Sequence, residues 1–332
     1  MKELWIEKPR RILIFYPRRI GDWVVTTPFL RGLRQKFPET EIVAVCSAKS
    51  AAVMPLIPFM NSFHVLGRPE DIGQNLRLLK FLLTSGTWDL YIDLDPNPAF
   101  SRGGWIFSHL ISARYKGGFL RKKNESFQIR VPTPDKDEPM LSRYQRMADF
   151  LGLPYEMRTE LKINSEDLDF VRSEIADLEN QFSKGKKVLI HPGDLKRESG
   201  ARWPREKFVE LGKRLKEDGS ILFLLAGPGE KNFIESLARD MGLDLSCVVG
   251  PRPLGEAAAF MLQMDLFISS VDGASHVAGA LGVCTFSIYT GSAWRVWRIP
   301  GERDLGLAGD WHDCRGVEVE QAYQAVKSIL RR

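Results

Sequence analysis

Cysteine is scarce in this chain of 332 residues, and the four present, Cys46, Cys247, Cys284 and Cys314, stand far apart with no C-x-x-C pair. That spacing excludes a disulfide framework and a thiolate zinc site; three of the four lie in or beside apolar runs and read as reduced thiols filling space. The five histidines show no metal-ligand spacing, so no metal site is predicted. No apolar stretch reaches the ~18 residues needed to cross a bilayer, and no cationic start runs into an apolar segment, which predicts a cytoplasmic protein. No G-x-G-x-x-G follows a strand, which disfavours a dinucleotide cofactor. RNP-type, helix-turn-helix and zinc-finger patterns are also missing, so nucleic acid is not an expected partner.

What is present is an ordinary globular composition, 44% hydrophobic and 27% charged, with a net charge of +5. The length suits two domains of about 150 residues each. The positive excess gathers in Lys8, Arg10 and Arg11 with Arg18 and Arg19, and again in Arg114, Lys116, Arg121, Lys122, Lys123 and Arg130. Such clusters are usually solvated faces; a basic rim would also attract an anionic acceptor and leaves open a peripheral place at the cytoplasmic face of the inner membrane.

Strand-like runs at 12–16, 41–46 and 90–94 alternate with helical patterns at 28–37, 75–84 and 140–151. In the second half, strands at 187–191, 221–226, 247–249, 266–270 and 283–289 alternate with helices at 205–218, 231–241, 255–263 and 275–281. Alternation of this kind means βαβ units and parallel sheets, hence an α/β protein of two Rossmann-like domains. We place the first at 1–155, a charge-rich linker at 156–184, the second at 185–312, and a terminal segment at 313–332 whose amphipathic helix, 319–330, packs back on the N-terminal domain. In the helix at 28–37, Phe29, Leu33 and Phe37 share one face, with Arg31, Arg34 and Lys36 off it.

Two turns carry chemistry. The buried run ending at Tyr16 leads into Arg18-Arg19-Ile20-Gly21-Asp22, which puts Asp22 at the mouth of a sheet, where it either caps a helix or takes a proton from a substrate hydroxyl. The strand 266–270 leads into Val271-Asp272-Gly273-Ala274-Ser275-His276, whose small residues either serve close packing or leave a helix N-terminus open to a phosphate. Between them, the loop Gly193-Asp194-Leu195-Lys196-Arg197-Glu198-Ser199-Gly200-Ala201-Arg202 offers glycines for close approach and three cations for a diphosphate, or is a plain solvated loop. Glu230, after Gly227-Pro228-Gly229, is placed to accept from ribose hydroxyls or to cap the next helix. His191 and His276 end a strand and begin a helix in the same half.

The blocks Gly21-Asp22-Trp23-Val24-Val25-Thr26-Thr27-Pro28-Phe29-Leu30-Arg31-Gly32-Leu33-Arg34, Tyr91-Ile92-Asp93-Leu94, Arg202-Trp203-Pro204, Ala226-Gly227-Pro228-Gly229-Glu230, Asp272-Gly273-Ala274-Ser275-His276 and Cys314 with Val317-Glu318-Val319-Glu320 resemble glycosyltransferase family 9, the ADP-heptose:lipopolysaccharide heptosyltransferases, in order and spacing over nearly the whole chain. The resemblance implies a GT-B fold, two Rossmann-like domains with parallel sheets facing across a cleft. It implies metal-independent, inverting transfer of a sugar, a heptose from ADP-heptose, onto a lipopolysaccharide-core or related anionic, lipid-linked glycan, with no cofactor beyond the nucleotide-sugar co-substrate. In that family the residue matching Asp22 is the general base; Arg18, Arg19, Gly21, Arg121 and Lys122 then belong to the acceptor side, and Gly193, Asp194, Lys196, Arg202, Glu230, Asp272, Gly273 and His276 to the donor side. Two departures fall on the donor side. Ala201 stands where the family has a phosphate-contacting lysine, and Val271 and Asp272 stand where it has an aspartate and a hydroxyl residue. A carboxylate beside a diphosphate repels it by ~1 kcal/mol or more unless it points away. A non-catalytic glycan- or nucleotide-binding homologue and a GT-B-type nucleotide-sugar epimerase are the competing readings.

Overall fold

The computed structural model describes residues 8–97, 102–120, 127–179, 185–193 and 200–331. The chain forms two compact units, Met1–Thr159 and Glu160–Arg332. The first runs β1 (Arg11–Phe15), α1 (Ile20–Val24), α2 (Thr27–Lys36), β2 (Glu41–Ser47), β3 (Ser62–Leu66), α3 (Ile72–Thr84), β4 (Trp88–Asp93), α4 (Arg102–Leu110), β5 (Ala113–Phe119), β6 (Ile129–Val131) and α5 (Met140–Phe150). Its six strands pair in the order β3-β2-β1-β4-β5-β6, all parallel. β1 sits at the centre because Ile12, Leu13 and Ile14 are fully buried, as a strand covered by helices on both faces requires.

The second unit runs α6 (Ser165–Glu179), β7 (Lys187–His191), α7 (Arg205–Glu217), β8 (Ile221–Leu225), α8 (Lys231–Asp240), β9 (Val248–Val249), α9 (Leu254–Leu262), β10 (Leu266–Ser270), α10 (Gly273–Ala280), β11 (Thr285–Tyr289), α11 (Gly291–Trp297), β12 (Asp304–Ala308) and α12 (Val319–Leu330). Its sheet is also parallel throughout, ordered β12-β11-β10-β7-β8-β9. Counted from each unit's own first strand, both sheets have the same doubly wound order, 3-2-1-4-5-6. In such a sheet the connections leave the first and fourth strands in opposite directions, opening a crevice at their carboxyl ends. That crevice lies after β1 and β4 in one unit, and after β7 and β10 in the other.

The structure departs from the sequence pattern in instructive places. Of the stretch 156–184, α6 belongs to the second unit and packs on α9, with Arg252 bidentate to Glu174 at 2.7 Å through each nitrogen. α12 lies on α7 of its own unit, with Ala322 and Val326 in that unit's core. Arg31 is buried rather than off the apolar face of α2, because its guanidinium donates to the Glu156 carbonyl at 2.9 Å. Among the described residues no helix is long and apolar enough to cross a membrane.

Candidate functional site

In the first unit the crevice is built by the turn after β1 and the residues after β4. Asp22 is the third residue of α1, and its Oδ2 accepts the N–H of Arg19 at 3.1 Å, so it does act as a cap. That occupies one oxygen; Oδ1 is 3.4 Å from the Tyr16 hydroxyl. Burial lifts the Asp22 carboxyl above its ordinary range, with the Arg19 N–H and the Arg18 charge pulling the other way. Below it the Tyr16 and Tyr144 hydroxyls share a 2.6 Å hydrogen bond, and burial pushes both phenols well up. Arg18 is held by Asp95, Nη2 to Oδ2 at 2.6 Å. The other Asp95 oxygen accepts the Asn97 N–H, and its own N–H donates to Asp93. A cavity of about 550 Å³ opens here, lined by Arg18, Arg19, Asp22, Ser47, Lys49 and Arg68. One carboxylate among four cations suits an anionic ligand with a hydroxyl to deprotonate. The larger cavity of about 930 Å³, lined by Lys8, Arg10, Lys36 and Arg114, lies at the amino ends of the same strands, opposite the edge where such sheets bind ligands.

In the second unit the crevice is organised around Trp203. This side chain is wholly buried; its indole donates to the Val317 carbonyl at 2.8 Å and its backbone N–H to Ser270 Oγ at 3.2 Å. The residue before it, Arg202, is thereby pinned so that Nη1 reaches the Val271 carbonyl at 3.2 Å. Gly193 faces the same guanidinium with φ +88°, where a Cβ would come within 2.6 Å of Nη1. The left-handed backbone there favours glycine whatever the Arg202 side chain does.

Asp272 is the N-cap of α10, and its Oδ1 accepts from the N–H groups of Ala274 at 2.9 Å and Ser275 at 3.1 Å. The donors that the sequence offers to a phosphate are thus taken by the chain's own carboxylate, because an aspartate stands at the capping position. Its Oδ2 meets His191 Nε2 at 3.1 Å, and His191 Nδ1 faces the Leu225 carbonyl at 3.0 Å. Both ring nitrogens face acceptors, an arrangement that suits imidazolium. Burial alone would lower the His191 pKa, but Asp272 and the Leu225 carbonyl outweigh it and raise it to about 9. His191, Arg202 and Asp272 together carry one net positive charge. His276 behaves oppositely: burial lowers it to about 4, so its ring is neutral, 5.7 Å from that of Trp297. Glu230 Oε2 accepts the Gly227 N–H at 2.9 Å, closing the turn after β8.

The structure therefore gathers Arg18, Arg19, Gly21 and Asp22 at one crevice, and Gly193, Arg202, Glu230, Asp272, Gly273 and His276 at or beside the other. Asp194, Lys196, Arg121 and Lys122 lie outside the described residues. Sequence reasoning missed Asp95, Tyr16, Tyr144, Lys49 and Arg68 around Asp22, and the pairing of His191 with Asp272. The signal available for Tyr16 was a hydroxyl ending an otherwise apolar strand. For the His191 pair it was a histidine and a carboxylate ending strands that are adjacent only once the sheet order is known.

The model of glycosyltransferase family 9 (heptosyltransferase) matches residues 102–313. The chain is 22% identical over 294 residues to the lipopolysaccharide core heptosyltransferase OpsX of Haemophilus influenzae, covering 86% of this chain and 80% of that protein. Among solved structures, the glycosyl transferase family 9 protein from Veillonella parvula superposes with a TM-score of 0.82 at 19% identity over 97% of both chains. The ADP-heptose lps heptosyltransferase II of E. coli does so at 0.75 and 16%, over 97% of this chain and 98% of that one. These likenesses establish the GT-B fold.

Proposed function

The chain belongs to glycosyltransferase family 9 and is a glycosyltransferase, and from that premise we propose that it moves a heptose from ADP-heptose onto a lipopolysaccharide-core or related anionic glycan with inversion at the anomeric carbon. Asp22 removes the proton of the acceptor hydroxyl as that oxygen attacks the anomeric carbon. The bond from that carbon to the diphosphate oxygen breaks in the same step, and the nucleoside diphosphate leaves with the electron pair. The observation that carries this reading is Asp22 itself: a half-buried carboxylate with its pKa lifted, set among Arg18, Arg19, Lys49 and Arg68 at the carboxyl edge of a parallel sheet. The acceptor is lipid-borne, so the enzyme works as a peripheral protein at the cytoplasmic face of the inner membrane.

On the donor side the leaving charge is met without a metal, by the surplus cation of the His191, Asp272 and Arg202 group. Asp272 is neutralised by His191, which removes the repulsion a carboxylate would otherwise offer a diphosphate. Arg202→Ala is expected to weaken binding of ADP by ~1.5–3 kcal/mol and that of adenosine little, read by calorimetry. Equal losses for both would mean that Arg202 serves the fold. The occupied N-terminus of α10 is the one observation favouring a non-catalytic homologue; a protein that binds neither ADP nor an ADP-sugar in this titration would support it.

On the acceptor side, raising salt from about 50 to about 500 mM should increase the acceptor KM several-fold and the donor KM much less, because the screening length of exposed charges falls from about 14 Å to about 4 Å across that range. Arg68→Ala should reproduce part of that increase at low salt. An acceptor KM that stays flat over the series would point to a neutral acceptor.

A further inference from the structure

Helix α3 carries two apolar faces where its fold needs one. Leu78 and Leu82 point into the core of the first unit. Ile72, Leu76, Leu79 and Leu83, spaced at i, i+4, i+7 and i+11, form a second stripe, and they are exposed, Ile72 and Leu83 to 67% and 70%. Helical periodicity at 100° per residue puts exposed Lys80 about 40° past Leu76, beside the far edge of this stripe, and exposed Arg77 about 60° further round, from where its long side chain can reach back toward that edge. On its near edge the stripe runs into an apolar groove of about 330 Å³, lined by Leu66, Leu78, Leu79, Leu82, Ile106 and Leu110. The last two are exposed leaves of α4, at 51% and 48%. Neither α3 nor α4 contains an acidic residue; the nearest carboxylates, Glu70 and Asp71, precede the first turn of α3.

A contiguous exposed apolar surface marks a place where something else docks. We propose that α3, with the outer edge of α4, is the surface by which this protein lies on an anionic lipid bilayer, the leucine stripe entering the headgroup boundary while Arg77 and Lys80 meet lipid phosphates. The charge pattern selects this occupant: an apolar stripe edged by cations and free of carboxylates on its own helices complements an anionic interface, to which each cation near the surface adds attraction. The proposal rests on the reading of a lipid-borne acceptor for its purpose, but its physical content is independent of turnover.

The test is sedimentation of the full chain with vesicles of phosphatidylcholine alone and with about 30% phosphatidylglycerol. The wild-type protein should sediment with the anionic vesicles at least about tenfold more strongly than with the neutral ones, and less so at high salt. Leu76→Glu with Leu83→Glu, both at exposed positions, should lose that binding about tenfold or more while keeping the melting temperature; Arg77→Glu with Lys80→Glu should lose the preference for anionic lipid. Transfer to a water-soluble acceptor fragment should survive both pairs. Binding with inactive transfer would overturn the proposed function and leave the docking surface standing. No vesicle binding, binding indifferent to the leucine changes, or a stripe whose substitution instead dissolves a dimer in analytical ultracentrifugation would overturn the docking surface.

Discussion

Asp22→Asn is expected to cut sugar transfer by ~10² to 10⁴ while leaving ADP affinity unchanged and the melting temperature unchanged or raised. The rate follows from removing the only carboxylate among the described residues that line the cavity of about 550 Å³. The stability follows from sign. The Asp22 pKa is raised in the folded protein, so its ionised form is disfavoured there relative to the unfolded chain. The folded state therefore loses stability as pH rises from the unfolded value through the folded one. An uncharged amide of the same shape removes that loss. Wild-type activity should correspondingly fall in acid along a limb whose midpoint lies above the ordinary aspartate value. Transfer by the variant within threefold of wild type would remove Asp22 as base, and a marked drop in melting temperature would show its role at Arg19 to be chiefly structural.

His191→Phe is expected to destabilise the second unit by ~3–5 kcal/mol near pH 6, because it strands the Asp272 carboxylate in a buried site. The pH dependence separates this from simple misfit. His191 is raised to about 9 when folded, so its contribution is complete below its unfolded value near 6.5 and disappears as pH climbs through about 9. Asp272 is lowered when folded; burial alone would raise it, but the His191 charge prevails, so its share is present above the unfolded aspartate value and lost as pH falls further into acid. The wild-type advantage over the variant, read by urea unfolding across pH, should therefore be greatest between about 4.5 and 6.5 and shrink steadily toward 9.5. An advantage independent of pH would mean that His191 contributes packing, not charge.

Much of the scaffold could be read from the chain. β7, β10 and α12 fall at their expected residues because their apolar pattern is unbroken. β5 and β12 went unread: Lys116-Gly117-Gly118 and Asp304 with Gly306 interrupt the alternation, and β12 is an edge strand with little to bury. Asp22 was legible as a residue with two roles, and the structure shows the capping role directly. Arg18 with Asp95, and His191 with Asp272, were not legible. Each pairs residues brought together by neighbouring strands far apart in sequence, and local pattern carries no record of which strand lies beside which.

The shared strand order has a consequence in time. In an all-parallel sheet no strand can zip to its predecessor by a hairpin, and the central pair of each unit forms late: Ile12 has to wait for Leu90, and Val188 for Leu266. On the ribosome the first unit can close its middle before any strand of the second sheet has been synthesised, whereas the buried His191–Asp272 pair cannot form until α10 emerges. Synthesis thus completes the strands around Asp22 first and the pairing of His191 with Asp272 last.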